Sequence, residues 1–521
     1  MADIEKSCSP DAGNGEKPVA LIPGADEALK FLRREEGNGT IIEIDEKQLV
    51  RKIDWMVMPV SSSNLLVLST ANNKFKLMFA CYILQYLDKT LINYANVMGL
   101  KEDTGTTASQ FSYLALAFYV SYCVCEIPQG YLMQRFPTAK YLGLQVILWG
   151  ICVTLNCACK NFASLVALRV LLGCFESAVA PSLILVTGMW YKKNEQPIRI
   201  GIWYLGTGTG TIVGALFSYG FQHYTGKIFS SWQIMFLVCG VVTITAGICV
   251  ILFLPDNPMT SRLSHDEKIF AIERLRENKT GVENKTFKIS QAIECITSPY
   301  TWLIVLFTAS SNVSNGAISS YQATIIKGLG YSSKATALLS IPSGGVSIVS
   351  ILSATFVAGR TNTRGLNAAA LTIPSIIGGA LMAFLPKNAG KGKLVGNYMT
   401  NTGGAALPLM YSLAAANYAG HTKKVTINAI LLMSFCVGNI IGPLTFQPDG
   451  KNPPEYIPAK IAIMATGLVA VVVILLLVSL LWLENRKRDR EEAAMGGYEH
   501  VQDSEFMDKT DKENQEFRYS Y

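Results

Sequence analysis

The sequence is poor in the residues from which most catalytic and metal sites are built. Only 16% of its 521 residues are charged, and only four are histidines. The histidines show no metal-ligand spacing, and the twelve cysteines include no Cys-x-x-Cys pair. A Gly-x-Ser-x-Gly motif and a Walker phosphate loop are also missing. These absences argue against catalysis and against a metal site, so we expect a protein that is not an enzyme and has no cofactor.

Long apolar runs, in contrast, are abundant. Hydrophobic residues make up 50% of the chain and the mean hydropathy is +0.29, which does not fit a soluble protein of this length. Several runs reach the roughly 20 residues that a helix needs to cross a bilayer. The net charge of +7 does not indicate nucleic-acid binding, because the basic residues lie in short loops beside the apolar runs. We therefore expect a protein embedded in the lipid bilayer, and we take a monomer as the expected oligomeric state.

Twelve of these runs predict membrane-spanning helices. Their approximate limits are 77–99, 112–134, 140–158, 163–190, 199–221, 233–254, 300–326, 335–358, 367–386, 394–416, 424–446 and 459–483. The predicted fold is an all-α membrane protein with two six-helix bundles, 77–254 and 300–483. The polar segment 255–299 joins them as a soluble, partly helical linker, with Ser264 as the N-cap of a helix.

The ends of the chain and the loops between the spans are polar, and their basic residues predict how the protein is oriented in the membrane. Residues 1–76 are expected to be largely disordered apart from an amphipathic helix within 41–59, and residues 484–521 form a charged, disordered tail. Most basic residues fall on one side of the predicted spans: Lys74, Lys76, Arg135, Lys140, Lys192, Lys193, Arg199, Arg360, Arg364, Lys423, Lys424, Arg486, Lys487 and Arg488. One opposing loop carries Lys387, Lys391 and Lys393. The positive-inside rule then places both termini and the linker in the cytoplasm.

Span four contains two charges inside an apolar helix. Arg169, Gly173 and Glu176 are spaced i, i+4, i+7 and share one helix face. Arg169 and Glu176 lie roughly 10 Å apart along a straight helix, which is too far for a tight ion pair. Each therefore needs a partner on another helix, water or a ligand. Intramembrane charges usually mark function, and the alternative is that both merely stabilise the bundle.

Span one carries a polar stripe. Gln85, Lys89, Asn93 and Asn96 recur at helical spacing, and Asp88 lies beside them. Neighbouring helix residues do not face each other, so Asp88 and Lys89 are not expected to pair only with one another. The functional interpretation is a lysine that faces an anion and an aspartate that titrates. The alternative is a pair of charges that stabilises the bundle.

Two basic side chains in one bundle, Lys89 and Arg169, indicate an anionic substrate. The planar guanidinium of Arg169 matches the geometry of a carboxylate. Desolvation raises the pKa of a buried carboxylic acid, and nearby cations lower it. Asp88 and Glu176 are therefore predicted to exchange protons, although the residues alone do not decide which influence wins.

Neutral polar residues in other spans complete the predicted binding site. They are Asn93 in span one, Asn312 and Asn315 in span seven, and Tyr398 in span ten. The alternative is that each makes a hydrogen bond between helices. The glycines of span five, 206–214, only superficially resemble a phosphate loop, which must follow a strand. We predict that they serve close helix packing.

Six stretches are similar to one family of membrane transporters. They read QYLDKTLINYANVMGLKEDTG (85–105), RVLLGCFESAVAP (169–181), MWYKKNEQPIRIGIW (189–203), FLPDNP (253–258), IERLRENKTGVENK (272–285) and NYAGHTKKVTINAILLMSFCVGNIIGP (417–443). By these stretches, which fall within 77–485, the chain resembles the major facilitator superfamily. Within it, the chain resembles the fungal allantoate permease group of the anion:cation symporters.

The resemblance implies a symporter that imports a small organic anion with protons across the fungal plasma membrane. The expected substrate is a carboxylate such as allantoate, ureidosuccinate, nicotinate or a related vitamin. In similar symporters the first-span Asp and the fourth-span Glu bind protons, which corresponds to Asp88 and Glu176. Basic residues at the positions of Lys89 and Arg169 hold the carboxylate. An exporter of organic anions or drugs, and a nutrient sensor without appreciable transport, are the alternatives.

Overall fold

The computed structural model describes residues 45–57, 77–192, 195–224, 229–276, 288–361, 363–386, 388–446, 456–495, 510–514 and 516–521. The regular elements in these ranges are all helices. The first half contains α1 (Glu46–Val57), α2 (Leu77–Val97), α3 (Leu100–Thr104), α4 (Ala108–Arg135), α5 (Thr138–Leu155), α6 (Phe162–Glu176), α7 (Val179–Trp190), α8 (Gln196–Tyr204), α9 (Gly206–Phe221) and α10 (Ser231–Phe253). The linker contains α11 (His265–Arg276) and α12 (Ile289–Thr297). The second half contains α13 (Pro299–Gly328), α14 (Ser333–Leu339), α15 (Ile341–Thr361), α16 (Arg364–Phe384), α17 (Gly390–Thr400), α18 (Ala406–Asn417), α19 (His421–Leu444) and α20 (Ile457–Met495).

Each predicted span coincides with one helix or with two consecutive helices. The pairs are α6 and α7 in span four, α8 and α9 in span five, α14 and α15 in span eight, and α17 and α18 in span ten. Among the described residues, nine segments are long and apolar enough to cross a membrane, or ten if the bent pair of α12 and α13 is one span. Spans one and ten fall outside this set, and both carry polar residues near their middle. The predicted all-α membrane fold is confirmed.

The two halves repeat the same helix contacts. In the first bundle α5 packs along α10 and α2 along α9; in the second, α16 packs along α20 and α13 along α19. The contacts between the bundles follow the same relation, because α4 packs on α19 and α9 packs on α15. Each helix of one pair has its equivalent in the other pair six spans away along the chain. Such repetition is expected for a protein built from two parallel structural repeats.

Spans four and ten, which are equivalent in the two repeats, are both interrupted near their middle. In span four Pro181 lacks the N–H that would bond to the Ser177 carbonyl, so the helix breaks between α6 and α7. In span ten a 3-10 turn, Asn401–Ala405, separates α17 from α18. Pro408 there stands in the same relation to the Gly404 carbonyl. Interrupted helices in a membrane are tolerated where they are buried in protein or line a cavity.

Glycines bring span five close to two neighbours. A Cβ added to Gly206 would lie 2.8 Å from the Ile83 nitrogen, and one added to Gly210 would lie 2.9 Å from the Ile83 oxygen. Span five therefore lies directly against span one. Gly208 faces the second bundle, where an added Cβ would lie 2.5 Å from the Gly344 oxygen of α15. The prediction that these glycines serve close packing is confirmed.

The linker helices and the described terminal segments lie at one end of both bundles, and we call this end the linker face. It is formed by α1, α11, α12 and the described part of residues 510–521. Glu46 of α1 pairs with Lys192 at 2.9 Å and with Arg274 of α11 at 3.3 Å. The Lys192 ammonium, hydrogen-bonded to Glu46, holds the pKa of that carboxyl below its usual value. Lys52 of α1 also pairs with Glu267 of α11 at 2.7 Å.

The amphipathic helix predicted within 41–59 is present as α1, and it packs on protein: Leu49 and Ile53 are only 2% and 1% exposed. The prediction of a disordered tail, in contrast, is not what the described residues show. At the other terminus, α20 continues to Met495, and the described residues between 510 and 521 pack on the linker face. Their charged side chains find partners in the second bundle, which composition alone does not reveal. Residues 1–44 and 58–76 lie outside the described part of the chain.

The linker helix α11 begins as predicted. The Glu267 N–H donates to the Ser264 hydroxyl at 3.3 Å, and the Ser264 N–H donates to the Glu267 carboxylate at 2.9 Å. This reciprocal pair is a capping box, which satisfies two N–H groups that the helix itself leaves unbonded. The prediction of Ser264 as the N-cap is confirmed.

A methyl group at Gly344 should hold the two bundles apart, whereas one at the adjacent Gly345 should not. A Cβ at Gly344 would lie 2.5 Å from the Gly208 oxygen, while one at Gly345 has nothing within 4 Å. Gly344→Ala should destabilise the purified protein by about 1–3 kcal/mol through overpacking. Gly345→Ala should be neutral or slightly stabilising because alanine favours the helix. Equal thermal unfolding midpoints for the two variants would contradict the close contact.

Candidate functional site

Lys89 and Glu176 form an ion pair in the interior of the protein. The Lys89 Nζ lies 3.3 Å from the Glu176 Oε1, and the two side chains are 9% and 0% exposed. The pair joins span one to span four. The partner of Glu176 is therefore on another helix, as predicted from the sequence, and is not Arg169 of its own helix. A buried charge of this kind is tolerated only when a partner or ligand compensates it.

The local structure of span four fixes the position of Glu176. Glu176 is the last residue of α6, immediately before the break that Pro181 causes. One turn earlier, a Cβ added to Gly173 would lie 2.9 Å from the Tyr122 nitrogen of α4. The absence of a side chain at Gly173 therefore lets α6 press directly on α4. Together these features hold the carboxylate at a helix end in the protein interior.

Lys89 also contacts both bundles through aromatic rings. Its Nζ lies 5.4 Å from the ring centroid of Tyr122 on α4 and 5.6 Å from that of Phe435 on α19. Cations at this distance are attracted to the ring face. Because Phe435 belongs to the second bundle, the ion pair lies at the junction of the two bundles. Lys89 therefore connects the Glu176 carboxylate to the surface where the bundles meet.

Asp88 and Arg169 are the other two predicted charges, and both are buried. Their exposures are 2% and 3%, and they interact electrostatically with each other. Glu176 interacts with both as well. Within the described part of the chain, the Nε and Nη2 atoms of Arg169 donate no hydrogen bond. The four residues thus form one buried group of two cations and two acids. In this group the Arg169 guanidinium keeps two nitrogen atoms whose N–H groups are available to a ligand.

Glu126 is a third buried acid near this group, and it was not among the residues predicted from the sequence. It lies in α4, is 3% exposed, and interacts electrostatically with Lys89. Its Oε2 atom has no hydrogen-bond partner among the described residues. The rule that singles out acids inside apolar spans applies to Glu126 as it does to Asp88, so the sequence contained the signal.

A cavity lies between the bundles, and the described residues that line it do not include the four charged ones. Residues of spans one, five, seven, eight and ten line it: Tyr86, Tyr204, Thr207, Asn315, Ile318, Ser347, Ile351, Thr400, Asn401, Gly404 and Ala405. Asn315 is the predicted binding residue in this set. Tyr86 precedes Lys89 by about one helical turn and shares its face. The interrupted part of span ten supplies Thr400, Asn401, Gly404 and Ala405, so the helix break shapes the cavity.

Apart from Lys89 and Arg169 in the charged group, three further predicted binding residues lie outside the lining of the cavity. The Asn312 amide donates to the Thr308 carbonyl at 2.7 Å within its own helix. The Tyr398 hydroxyl donates to the Leu339 carbonyl at 2.9 Å and so joins spans eight and ten. The Asn93 amide, with its nitrogen towards Ser320, donates to that carbonyl at 3.2 Å. The described structure does not bring these three residues into the lining of the cavity.

The bundles contact each other on both sides of the charged group. Away from the linker face, the Ser112 and Tyr321 hydroxyls are hydrogen-bonded at 2.5 Å, and Asn96 donates to Thr324 at 3.0 Å. Towards the linker face, α8 packs against α15 and α18. The aromatic contact of Tyr119 with Phe435, whose centroids are 6.4 Å apart, lies between these two ends. These contacts join the bundles on both sides of the charged group, and a separation of the bundles would break them.

Comparison with known proteins connects this architecture to one family. The model of the Major Facilitator Superfamily matches residues 78–443. The thiamine pathway transporter THI73 of Saccharomyces cerevisiae is 38% identical, with 100% of this chain and 98% of that protein covered. The allantoate permease of the same yeast is 32% identical over 97% of this chain and 92% of its own length.

A solved structure shows the same fold. A bacterial homologue of the human lysosomal transporter Spinster, in an inward-facing and occupied conformation, matches with a TM-score of 0.55. The two chains are 15% identical, and the match covers 77% of this chain and 96% of the bacterial one. At this identity the similarity concerns the fold alone.

Proposed function

Because this chain belongs to the major facilitator superfamily and is a membrane transporter, we propose that it imports a small organic anion in symport with protons. The observation that carries the proposal is the buried ion pair of Lys89 and Glu176 at the junction of the bundles. A substrate carboxylate and the Glu176 carboxylate compete for the same ammonium group. Protonation of Glu176 removes one competitor and thereby favours the other.

Arg169 provides the second contact for the substrate. Its unbonded Nε and Nη2 atoms can donate to a carboxylate as a planar fork. The body of the substrate then occupies the cavity beside Tyr86, Asn315 and Asn401, which offer hydroxyl and amide groups. These groups together offer donors for a carboxylate and hydrogen-bonding partners for a small polar molecule.

Coupling follows from the competition for Lys89. With Glu176 protonated, Lys89 and Arg169 hold the anion, and the bundles close around it. When the site opens to the linker face, Glu176 loses its proton, pairs again with Lys89 and displaces the anion. A proton shifts a conformational equilibrium only through its different affinity for the two states. The ion pair supplies that difference, because Glu176 is compensated by Lys89 only while the substrate is absent. Asp88, which interacts with Arg169, is the second candidate for a coupling acid.

The name of one relative, the allantoate permease, supports a carboxylate substrate, because allantoate is itself a small carboxylate. Another relative is named for the thiamine pathway. We propose a small carboxylate such as allantoate, ureidosuccinate, nicotinate or a related vitamin. The protein acts as a monomer in the plasma membrane, with the linker face in the cytoplasm. Basic residues near the linker face, among them Arg135, Lys192 and Lys423, support this orientation by the positive-inside rule.

Arg169→Lys should weaken substrate binding while Arg360→Lys should not. The first substitution keeps the charge but loses the fork, and hydrogen bonds to charged groups contribute about 1.5–3 kcal/mol each. We expect at least about tenfold weaker binding, since 1.4 kcal/mol is a factor of ten. A thermal-shift screen of carboxylates first identifies the ligand. Binding of that ligand and of its neutral amide analogue is then measured on both variants. Equal binding of the acid and the amide by the parent protein would contradict carboxylate recognition.

Glu176→Gln should exchange substrate across a membrane but fail to concentrate it. Glutamine imitates the protonated acid and cannot release a proton, so the loaded site still forms while coupling is lost. The measurement is counterflow in proteoliposomes beside uptake driven by an inward proton gradient. Glu102→Gln, an exposed acid in α3, is the matched control and should behave as the parent.

Accumulation by Glu176→Gln as strong as that of the parent would show that Glu176 is not an obligatory coupling site. Asp88→Asn would then be the variant to test. Outward pumping by the parent protein would favour an exporter, and binding without any flux would favour a sensor.

A further inference from the structure

The end of the chain folds back onto the second bundle. The described residues between Thr510 and Tyr521 lie on the linker face, and the structure buries three of them almost completely. Thr510, Asp511 and Tyr519 are 0%, 4% and 5% exposed. The segment begins with its own turn, in which the Thr510 N–H donates to Glu513 at 2.9 Å and the Glu513 N–H donates to the Thr510 hydroxyl at 3.2 Å. Burial of this degree is unusual for a charged chain terminus.

Two asparagines of the bundle bind the backbone of the segment. The Asn485 amide of α20 donates to the Tyr519 carbonyl and accepts from the Tyr519 N–H, each at 2.8 Å. The Asn417 amide of α18 donates to the Ser520 carbonyl at 2.8 Å and accepts from the Ser520 N–H at 2.6 Å. Each amide therefore pairs with both main-chain groups of one residue, as a neighbouring strand would. The two asparagines hold two consecutive residues of the peptide.

Two buried cations complete the contacts. Arg488 of α20 is 8% exposed and its Nη1 donates to the carbonyls of Asp511, Asn514 and Phe517 at 3.1, 3.4 and 2.9 Å. Lys423 of α19 is only 1% exposed and lies between two acids. It is 2.5 Å from Asp511 and 2.7 Å from Glu294 of the linker helix α12. Removing one partner from a buried ion pair is costly, so both cations depend on the segment.

Tyr519 is the anchor of the segment. Its hydroxyl donates to the Asp511 carboxylate at 2.9 Å and accepts from Arg488 Nη2 at 3.2 Å. The Arg488 guanidinium also lies 4.8 Å from the Tyr519 ring centroid. Burial, together with the negative charge of Asp511, raises the pKa of Tyr519 above its usual value, so the hydroxyl keeps the proton that it donates. Asp511 and Tyr519 thus recognise each other as well as the bundle.

We propose that the linker face of the second bundle is a peptide-binding site, and that its ligand is the chain's own C-terminal segment, residues 510–521. The site selects an extended backbone through Asn417 and Asn485, a buried aspartate through Lys423, and a buried tyrosine through Arg488. The described contacts lie on helices of the second bundle and on α12. The bound segment therefore stabilises one bundle and moves with it, and it does not bridge the surface at which the two bundles separate.

The proposal is tested on the full-length protein, which is folded with the segment in place. A recognition site for a specific protease replaces residues 499–505, and the purified protein is cut at that site. After size-exclusion chromatography, the retained C-terminal fragment is quantified by mass spectrometry. We expect the parent fragment to remain bound. Fragments with Tyr519→Ala or Asp511→Asn should dissociate at least tenfold faster. Lys512→Ala, an exposed neighbour, should be retained like the parent.

A second measurement does not depend on the folding of any variant. Synthetic peptides of residues 510–521 are added as competitors to cut parent protein that carries a fluorescently labelled fragment, and displacement of the fragment is followed by fluorescence anisotropy. The parent and Lys512→Ala peptides should bind, and the Tyr519→Ala and scrambled peptides should bind at least tenfold more weakly. Immediate loss of the parent fragment after cutting, or equal binding of the scrambled peptide, would overturn the proposal.

Discussion

The ion pair of Lys89 and Glu176 is the interaction on which the rest of the transport site depends. Neither charge is tolerable alone in an apolar interior, and their pairing fixes span one against span four. The break before Pro181 places the carboxylate at a helix end, and Gly173 lets span four approach span two. Lys89 also faces Phe435 of the second bundle. The state of one carboxylate is thereby connected to the surface at which the bundles separate.

The same physical rule operates at the linker face. Lys423 and Arg488 are buried cations whose partners come from the linker and from the end of the chain. Arg274 of the linker helix α11 is similarly paired with Glu46 and Glu195. Buried charges therefore organise both the centre of the protein and its soluble end. At the centre the partner can be exchanged for a substrate, whereas at the linker face the partners are parts of the same chain.

Much of the fold could be predicted from the sequence because each span is an apolar run, and apolar runs are local. The need of Glu176 for a partner on another helix was also predictable, since the distance to Arg169 follows from helix geometry. The identity of that partner was not, because Lys89 is far away in the sequence. Asn312 and Tyr398 were expected at the substrate, but each donates a hydrogen bond to a backbone carbonyl. A polar side chain inside a span can serve either a ligand or another protein group, and the sequence does not distinguish these two roles. The C-terminal segment has a composition typical of disorder, and its order depends on distant residues such as Asn417 and Asn485.

The central claim is that a substrate anion and Glu176 compete for Lys89, so that binding of the anion is accompanied by uptake of a proton. Isothermal titration of the purified protein with its carboxylate substrate, in buffers of different ionisation enthalpy, measures the number of protons taken up. For the parent protein the apparent binding enthalpy should change with the buffer in the sense of proton uptake, and for Glu176→Gln this dependence should vanish. A parent protein whose binding enthalpy is independent of the buffer, or a Glu176→Gln variant with the same proton uptake as the parent, would contradict the account.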